Sequence, residues 1–155
     1  MNIELVKINV DEAEKIWKMQ IDAFRGLLDL YQDFDTSPGN ETIEKVKMKL
    51  LQGYTYYYYI YANEVLVGGI RVIDRKDGSR KRVAPVFITE KYRNKGIAQR
   101  AFYEIEKLHG EKNWELDTIF QEKGNCHLYE KLGYKKIGEI ERINDRMDIV
   151  HYIKD

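Results

Sequence analysis

The sequence predicts an α/β protein that folds as one domain over residues 1–155, and three observations support this. The chain of 155 residues has the usual size of one compact domain. Its composition, 43% hydrophobic and 34% charged, can bury a core and still solvate the surface. Runs with strand spacing alternate with runs of helical spacing, and no repeat, linker or low-complexity segment interrupts them.

The first half of the chain alternates apolar or aromatic strands with amphipathic helices. A short strand begins at Ile3, and Asn9 or Asp11 can then cap a helix whose apolar residues recur along one stripe over 13–24. The elements predicted next are a turn at Asp33–Asn40, a second helix over Glu41–Leu51, and strands over Tyr54–Tyr61 and Val65–Ile73 joined tightly through residues 62–64.

The second half begins with a charged turn at Asp77-Gly78 and a fourth strand over Val83–Thr89. Pro85 argues for a bulge or an irregular edge in that strand, because proline cannot donate to a ladder. The remaining predicted elements are a helix from near Lys95 to Gly110, a fifth strand over Trp114–Phe120, a short helix over Asn125–Leu132 ended by Gly133, a sixth strand over Tyr134–Ile140, a turn at Asn144-Asp145 and a seventh strand over Met147–Ile153.

Charge and cysteine content argue against several classes of protein. Lys plus Arg and Asp plus Glu each total 26, so nucleic acid is not an expected partner. The longest apolar-looking stretch, 54–62, is far short of the roughly 20 residues that span a bilayer, so we expect no membrane segment. One cysteine and no leader of signal-peptide type favour the cytoplasm. We expect no metal, because Cys126, His109, His127 and His151 lack ligand spacing; packing or surface roles suit them.

The segment 92–98 (YRNKGIA) lies where the fourth strand gives way to a helix. A turn there directs several backbone N–H groups at one point, the helix dipole adds positive character, and Gly96 lets a ligand approach closely. Arg93 and Lys95, with Arg100 one turn further on, can add charge-assisted contacts to phosphates. The segment therefore indicates an anion site. The alternative is that Gly96 merely fits the turn and its basic neighbours are solvated.

A second segment, 125–134 (NCHLYEKLGY), follows about thirty residues after Arg93. Together with the R-x-x-G-x-A pattern of Arg93, Gly96 and Ala98, it resembles the GNAT N-acetyltransferase superfamily. Members of that superfamily bind the coenzyme A pyrophosphate at a Q/R-x-x-G-x-G/A turn and carry a related N-x-x-x-x-Y-E-K-x-G-F/Y type segment on the last helix. The element order is similar along nearly the whole chain. The resemblance implies a mixed, mostly antiparallel sheet of six to seven strands, flanked by about four helices and splayed between the fourth and fifth strands.

The resemblance also implies acetyl-CoA as the cofactor and a role for each matching residue. Phe87 and Ile88 would line the pantetheine, Asn125 would contact the cofactor near its thioester, and Tyr129 would be the general acid. From the residues alone, Asn125 is equally a helix N-cap and Tyr129 a core aromatic, and both alternatives stay open. The residues that would bind the pyrophosphate through their backbone are Arg93, Asn94, Lys95, Gly96, Ile97 and Ala98.

An amine that attacks a thioester builds negative charge on the carbonyl oxygen and then on the sulfur. A backbone N–H near Ile88 and the hydroxyl of Tyr129 are therefore useful donors. Many superfamily members place a glutamate on the fourth strand, whereas 83–88 contains no carboxylate here. The general base stays open between water, a residue of the first two helices, and Glu90, which is more simply a solvated charge.

The expected function is transfer of an acetyl group from acetyl-CoA to a primary amine of a small molecule or peptide, by direct attack in a ternary complex. The alternatives are a non-catalytic acyl-CoA-binding sensor and a nucleotide-binding protein, the latter lacking a G-x-G-x-x-G or P-loop pattern. Acceptor choice would come from 24–51 and 139–146, where Asp29, Asp33 and Asp35 can attract a cationic amine or are simply exposed charges. A homodimer also stays open.

Overall fold

An eight-stranded sheet organises the computed structural model, which describes residues 1–155. Its strands form where β-branched and aromatic residues cluster, most densely in the tyrosine run of the second strand. The strands are β1 (Ile3–Lys7), β2 (Thr55–Ala62), β3 (Val65–Ile73), β4 (Lys81–Ile88), β5 (Trp114–Ile119), β6 (Lys135–Lys136), β7 (Glu141–Asn144) and β8 (Met147–Lys154).

The sheet is antiparallel except at one pair of strands. The strand order is β1-β2-β3-β4-β5-β8-β6, and β7 also pairs with β8. β4 and β5 run parallel and pair at two positions only, Lys81 with Trp114 and Arg82 with Glu115. Beyond these positions the two strands have no ladder between them. The mixed, mostly antiparallel sheet with a splay between the fourth and fifth strands is therefore confirmed, with eight strands where six to seven were expected.

Four α-helices flank the sheet: α1 (Ala13–Tyr31), α2 (Ile43–Leu51), α3 (Ile97–His109) and α4 (Lys123–Lys131). Successive residues of a strand point to opposite faces, so the tyrosines of β2 are shared between two cores. Tyr57 and Tyr59 pack with α1 and α2, whereas Tyr58 packs with α3 and α4. The sheet thus separates α1 and α2 on one face from α3 and α4 on the other. None of the helices has the length and apolar character that a membrane span needs.

The start of α1 differs from the expected one. Residues 10–12 form one turn of 3-10 helix, so Asp11 lies inside that turn. Asn9 precedes the turn but makes no side-chain capping hydrogen bond. α1 then begins at Ala13 directly from the 3-10 turn. The side-chain cap proposed at Asn9 or Asp11 is therefore wrong, because the preceding turn already joins the helix.

The irregularity expected at Pro85 is present as a β-bulge. The pairing of β3 with β4 shifts by one residue here, so that Arg71 alone on β3 faces both Ala84 and Pro85 on β4. Pro85 has no N–H to give to the ladder, which suits an unpaired bulge position. The bulge lies in the half of β4 that has no partner on β5.

The C-terminal part of the sheet contains one more strand than expected. The strand predicted over 134–140 is reduced to the two residues of β6, and pairing with β8 continues only to the Ile137 amide, 2.9 Å from the His151 carbonyl. Gly138 has a left-handed φ of 71°, which turns the chain away. The chain then returns as β7, and a turn at 145–146 leads into β8.

Candidate active site

A first cavity of about 640 Å³ lies between α1, the end of β4, the turn before α3 and the start of α4. It opens where β4 and β5 separate, because no ladder fills that space. Lys95 is the one predicted site residue outside its lining. The predicted site residues that line it are Phe87, Ile88, Arg93, Asn94, Gly96, Ile97, Ala98, Asn125 and Tyr129.

The turn before α3 presents backbone N–H groups at the wall of this cavity. Asn94 and Gly96 have left-handed φ values of 62° and 78°. The first hydrogen bond of α3 runs from the Arg100 amide to the Gly96 carbonyl, 3.3 Å away, so the amides before Arg100 have no partner within the helix. No atom lies within 4 Å of the point where a Gly96 side chain would begin. The turn is therefore open to an anion.

The basic side chains near the turn are Arg93, Lys95 and Arg100, and Arg93 is already hydrogen-bonded to the protein backbone. The Arg93 guanidinium donates to the carbonyls of Ile88 and Ala23, both at 2.8 Å, and so ties the turn to β4 and α1. Neither Lys95 nor Arg100 lines the cavity. The charge-assisted phosphate contacts expected from these side chains are therefore not preformed, and the turn offers its backbone instead.

A second cavity of about 500 Å³ lies between α1, the bulge of β4, β5 and the β7–β8 hairpin. The two segments expected to bear on acceptor choice, 24–51 and 139–146, both contribute to it. Asn144 of the hairpin donates a 3.0 Å hydrogen bond to the carbonyl of Tyr31 at the end of α1. The two segments therefore form one wall.

The two cavities meet at a junction, defined here as the residues that line both: Phe24, Leu27, Val86, Asn125 and Tyr129. Three of these side chains are apolar and can exclude water from a reacting group. Asn125 and Tyr129 are the polar members. A ligand in one cavity would meet a ligand in the other beside these two side chains.

Tyr129 is a core aromatic and a junction residue at the same time. Its side chain is 6% exposed, and its ring centroid lies 5.6 Å from that of Phe102 and 6.1 Å from those of Tyr134 and Tyr152. Burial, followed by the nearby Cys126 thiol, raises the pKa of Tyr129 well above its usual value. The hydroxyl is therefore protonated at neutral pH, and the two interpretations of Tyr129 do not exclude each other.

Asn125 reaches the junction from inside α4. The amides of Asn125 and Cys126 both donate to the Glu122 carbonyl, at 3.1 and 3.2 Å, so the first turn closes on Glu122. Asn125 is the third residue of the helix, and the N-cap interpretation is wrong. Its exposed side chain lines both cavities. Glu122, which the sequence did not single out, accepts a 2.5 Å hydrogen bond from the hydroxyl of Tyr31.

The carboxylates that line the two cavities are Asp33, Asp117, Glu122 and Glu141. Asp33 accepts hydrogen bonds at both oxygens, from the amide and the hydroxyl of Thr36. Asp117 accepts from Arg82 and from His151, each at 2.5 Å. These two aspartates are therefore already satisfied, and His151, expected in a packing or surface role, bridges charged groups at the edge of the second cavity.

Glu122 and Glu141 are less fully engaged. Glu122 has one oxygen bonded to a tyrosine hydroxyl, and Glu141 is exposed beside His151, whose Nε2 is 3.4 Å from it. Glu90 belongs to neither cavity and lines a separate, smaller one with Asp22 and Asp29. No group of three or more His, Cys, Asp or Glu side chains is arranged to hold a metal ion.

Solved structures that resemble the protein are acetyltransferases. PaiA N-acetyltransferase from Thermoplasma acidophilum, in complex with coenzyme A, is similar over 100% of both chains with 17% identity and a TM-score of 0.69. Spermidine N-acetyltransferase from Vibrio cholerae, in complex with CoA and spermine, has 15% identity and a TM-score of 0.75 over 97% of this chain and 93% of its own. The Salmonella typhimurium acetyl transferase that modifies the N-terminal serine of ribosomal protein L7/L12 has 15% identity and a TM-score of 0.75 over 100% and 96%.

These likenesses establish a shared fold at low identity. A comparison with curated proteins finds no significant match. The family model for acetyltransferases matches residues 22–134, which include the C-terminal half of α1, the turn before α3 and the whole of α4. Because that match covers most of the sequence, the chain belongs to the acetyltransferase (GNAT) family.

Proposed function

We propose that the protein is an N-acetyltransferase that moves the acetyl group of acetyl-CoA to a primary amine of a small molecule or peptide within a ternary complex. The observation that carries the proposal is the junction, where two cavities meet beside Asn125 and Tyr129. Acetyl-CoA would occupy the first cavity and the acceptor the second. Two solved structures of similar fold contain CoA in their complexes.

The first cavity suits acetyl-CoA in size and chemistry. Its volume of about 640 Å³ is in the range of ordinary small-molecule pockets. The free amides of 94–98 would hold the pyrophosphate at the positive end of α3. The edge of β4 near Phe87 and Ile88 has no partner on β5, so its backbone groups are available to the amides of the pantetheine. A strand edge and a helix start thus supply complementary contacts.

The residues of the junction would then assist the transfer. A backbone N–H of β4 near Val86 to Ile88 would stabilise the negative charge that develops on the carbonyl oxygen. Tyr129 would donate its proton to the departing sulfur, and Asn125 would orient the thioester end. Holding both substrates at one junction removes much of the entropic barrier to their meeting.

An amine acceptor agrees with what the similar structures are named for. One is a spermidine N-acetyltransferase and another modifies an N-terminal serine, so both act on amines. The second cavity offers the exposed carboxylate of Glu141 along with apolar walls, whereas Asp33 and Asp117 are already hydrogen-bonded. Such a surface favours a cationic amine that carries an apolar body.

A non-catalytic acyl-CoA sensor is the second candidate, because β4 has no carboxylate and two of the cavity aspartates are already satisfied. A sensor would bind acetyl-CoA without transferring its acetyl group. Turnover of acetyl-CoA with a panel of small amines and short peptides separates the two functions. Acetylated product detected by mass spectrometry supports the enzyme, and binding without product supports the sensor.

The cofactor site is tested with Gly96→Glu. We expect coenzyme A to raise the melting temperature of the wild type, since a ligand that binds only the native state stabilises it by about 2.7 kcal/mol at 100 times its Kd. Gly96→Glu should abolish this rise, because a carboxylate would occupy the anion site. Thermal shift and calorimetric titration with coenzyme A measure both effects.

Gly78→Glu is the matched control. Gly78 has a similar left-handed φ of 89°, also faces open space, and lies in the β3–β4 turn away from both cavities. The Gly78→Glu variant should therefore lose the same backbone freedom as Gly96→Glu, but coenzyme A should still raise its melting temperature. No response in the wild type would refute the proposed function, and normal affinity in folded Gly96→Glu would move the anion site elsewhere.

A further inference from the structure

Arg71 is a buried cation beneath the bulge of β4. It is 5% exposed and lies opposite Tyr57 in the β2–β3 pairing, so it projects to the face that carries α1 and α2. Burial lowers the pKa of its guanidinium, as expected for a cation removed from water. The nearby Glu41 carboxylate is paired with Lys49. The fold therefore retains a charged group at a costly position without a carboxylate of its own.

The guanidinium makes one short hydrogen bond, and that bond ends on the bulge. Its Nη1 donates to the carbonyl of Ala84 at 2.7 Å. Its Nη2 lies 3.5 Å from the hydroxyl of Thr55, which is a weak contact, and its Nε has no partner. The best contact of this buried side chain is thus with a backbone carbonyl of the active-site strand.

The bulge needs such a partner. Ala84 and Pro85 together face one residue of β3, so the ladder is interrupted there and the carbonyl of half-buried Ala84 takes its donor from a side chain instead. Ala84 and Pro85 line the second cavity, and the next residue, Val86, lines both cavities. The hydrogen bond from Arg71 therefore acts two residues from the junction.

We propose that Arg71 is a positioning residue for acetyl transfer, which holds the Ala84 carbonyl and thereby fixes the bulge and the direction of the backbone at Val86. This inference rests on the proposed function. Arg71 touches neither cavity and acts through the backbone of β4. A change in the backbone direction of β4 would displace the oxyanion donor and the thioester relative to the acceptor. Small displacements of this kind lower the rate of transfer substantially.

Arg71→Met tests the proposal, since it keeps a long apolar stem and removes the donors. We expect the turnover number to fall about 10²-fold with the Kd for coenzyme A within about threefold of wild type, because the pyrophosphate turn is not involved. Hydrogen exchange of the peptide covering 84–88 should become faster relative to the rest of the sheet, a readout that needs no activity. Thr55→Val removes the weak partner of Arg71 without touching the bulge and should leave turnover and exchange at 84–88 unchanged.

A purely structural role predicts another pattern. Arg71→Met would then lower the melting temperature while the folded protein kept wild-type turnover and wild-type exchange at 84–88, and that result overturns the proposal. If Arg71→Met does not fold, Arg71→Gln decides by the same two measurements, because its shorter side chain cannot keep the 2.7 Å contact. A wild type that neither binds coenzyme A nor acetylates amines would refute the proposed function, whereas exchange at 84–88 would still report whether Arg71 holds the bulge.

Discussion

Tyr129 concentrates most of the chemistry proposed for the junction in one hydroxyl group. Tyr129→Phe keeps the ring and its packing but deletes the proton donor. We expect acetyl-CoA affinity near wild type and a turnover number lowered by about 10²-fold or more, because the departing thiolate loses its donor. Steady-state kinetics with a good amine acceptor, together with calorimetric titration, measure the two quantities.

Tyr134→Phe is the matched control for this change. Tyr134 is also buried and its pKa is also raised by burial, but it lines neither cavity. Its substitution should leave turnover unchanged. If Tyr129→Phe retains full turnover, water protonates the leaving group and the tyrosine is structural. If the variant unfolds, packing is its main role.

The acceptor amine must also lose a proton, and residues 83–88 carry no carboxylate that could take it. We expect solvent or an ordered water to remove it, so the rate should rise with pH along the ionisation of the amine itself. Glu90→Gln should leave this profile unchanged, since Glu90 lies outside both cavities. A pH–rate profile with one acceptor measures this.

Glu122→Gln makes the same chemical change inside the first cavity. Loss of a kinetic pKa together with a fall of about 10²-fold in either variant would replace solvent by that glutamate as the base. Wild-type affinity for coenzyme A in the folded variant is the control, because it shows that the substitution has not disturbed the cofactor site.

The bulge of β4 was predictable from the sequence, whereas the hydrogen bond from Arg71 that supports it was not. Pro85 predicts an interruption of the β-ladder, because a proline has no N–H in any environment. Arg71 precedes it by fourteen residues on another strand, and its contact with Ala84 arises only when β3 and β4 pair. An arginine in a hydrophobic strand has no sequence signature that would name its partner.

The start of α4 shows the same limit. Asn125 has the side chain of an N-cap, but a cap is defined by which carbonyl closes the first turn, and that carbonyl belongs to Glu122. The helix therefore begins two residues earlier than predicted, with its cap three residues before Asn125. This shift moves Asn125 from the end of the helix to the face that lines the cavity. The strand expected over 134–140 was similarly cut short once Gly138 turned the chain.

The buried tyrosines make the stability of the folded protein sensitive to alkaline pH. Burial is the largest cause that raises the pKa of seven tyrosines, to about 12 for Tyr31 and Tyr58 and well above the usual value for the others. An unfolded tyrosine ionises near pH 10. Because the folded pKa is the higher one, this contribution to stability is complete below about pH 10 and is lost as pH rises through about 12.

We therefore expect the melting temperature to fall steeply as pH rises from about 10 to about 12. Lys49, whose pKa is lowered by burial, acts in the opposite direction but is one group against seven. Circular dichroism melts across this range measure the effect, and Tyr58→Phe, which cannot ionise, should flatten the dependence. A melting temperature that stays constant through this range would contradict the expectation.

The family and most element positions could be inferred from the amino-acid sequence alone, as could the turn that we propose binds the cofactor. These features are local: alternation of apolar residues sets strands and helices, Gly96 and Gly110 bound a helix, and the two motifs lie within short segments. The predicted anion site needs only neighbouring amides, which one turn of chain can supply.

Which side chains meet depends on how distant parts of the chain pack together. Phe24, Val86 and Tyr129 come from α1, β4 and α4, and the junction exists because the sheet splays between β4 and β5 and helices close on both faces. Packing of β4 and α1 likewise places the carbonyls of Ile88 and Ala23 where Arg93 can donate to both and hold the turn. The physical reason is that side-chain partners are chosen by distance in space, which depends on packing of elements far apart in the chain, whereas the sequence reveals only local preferences.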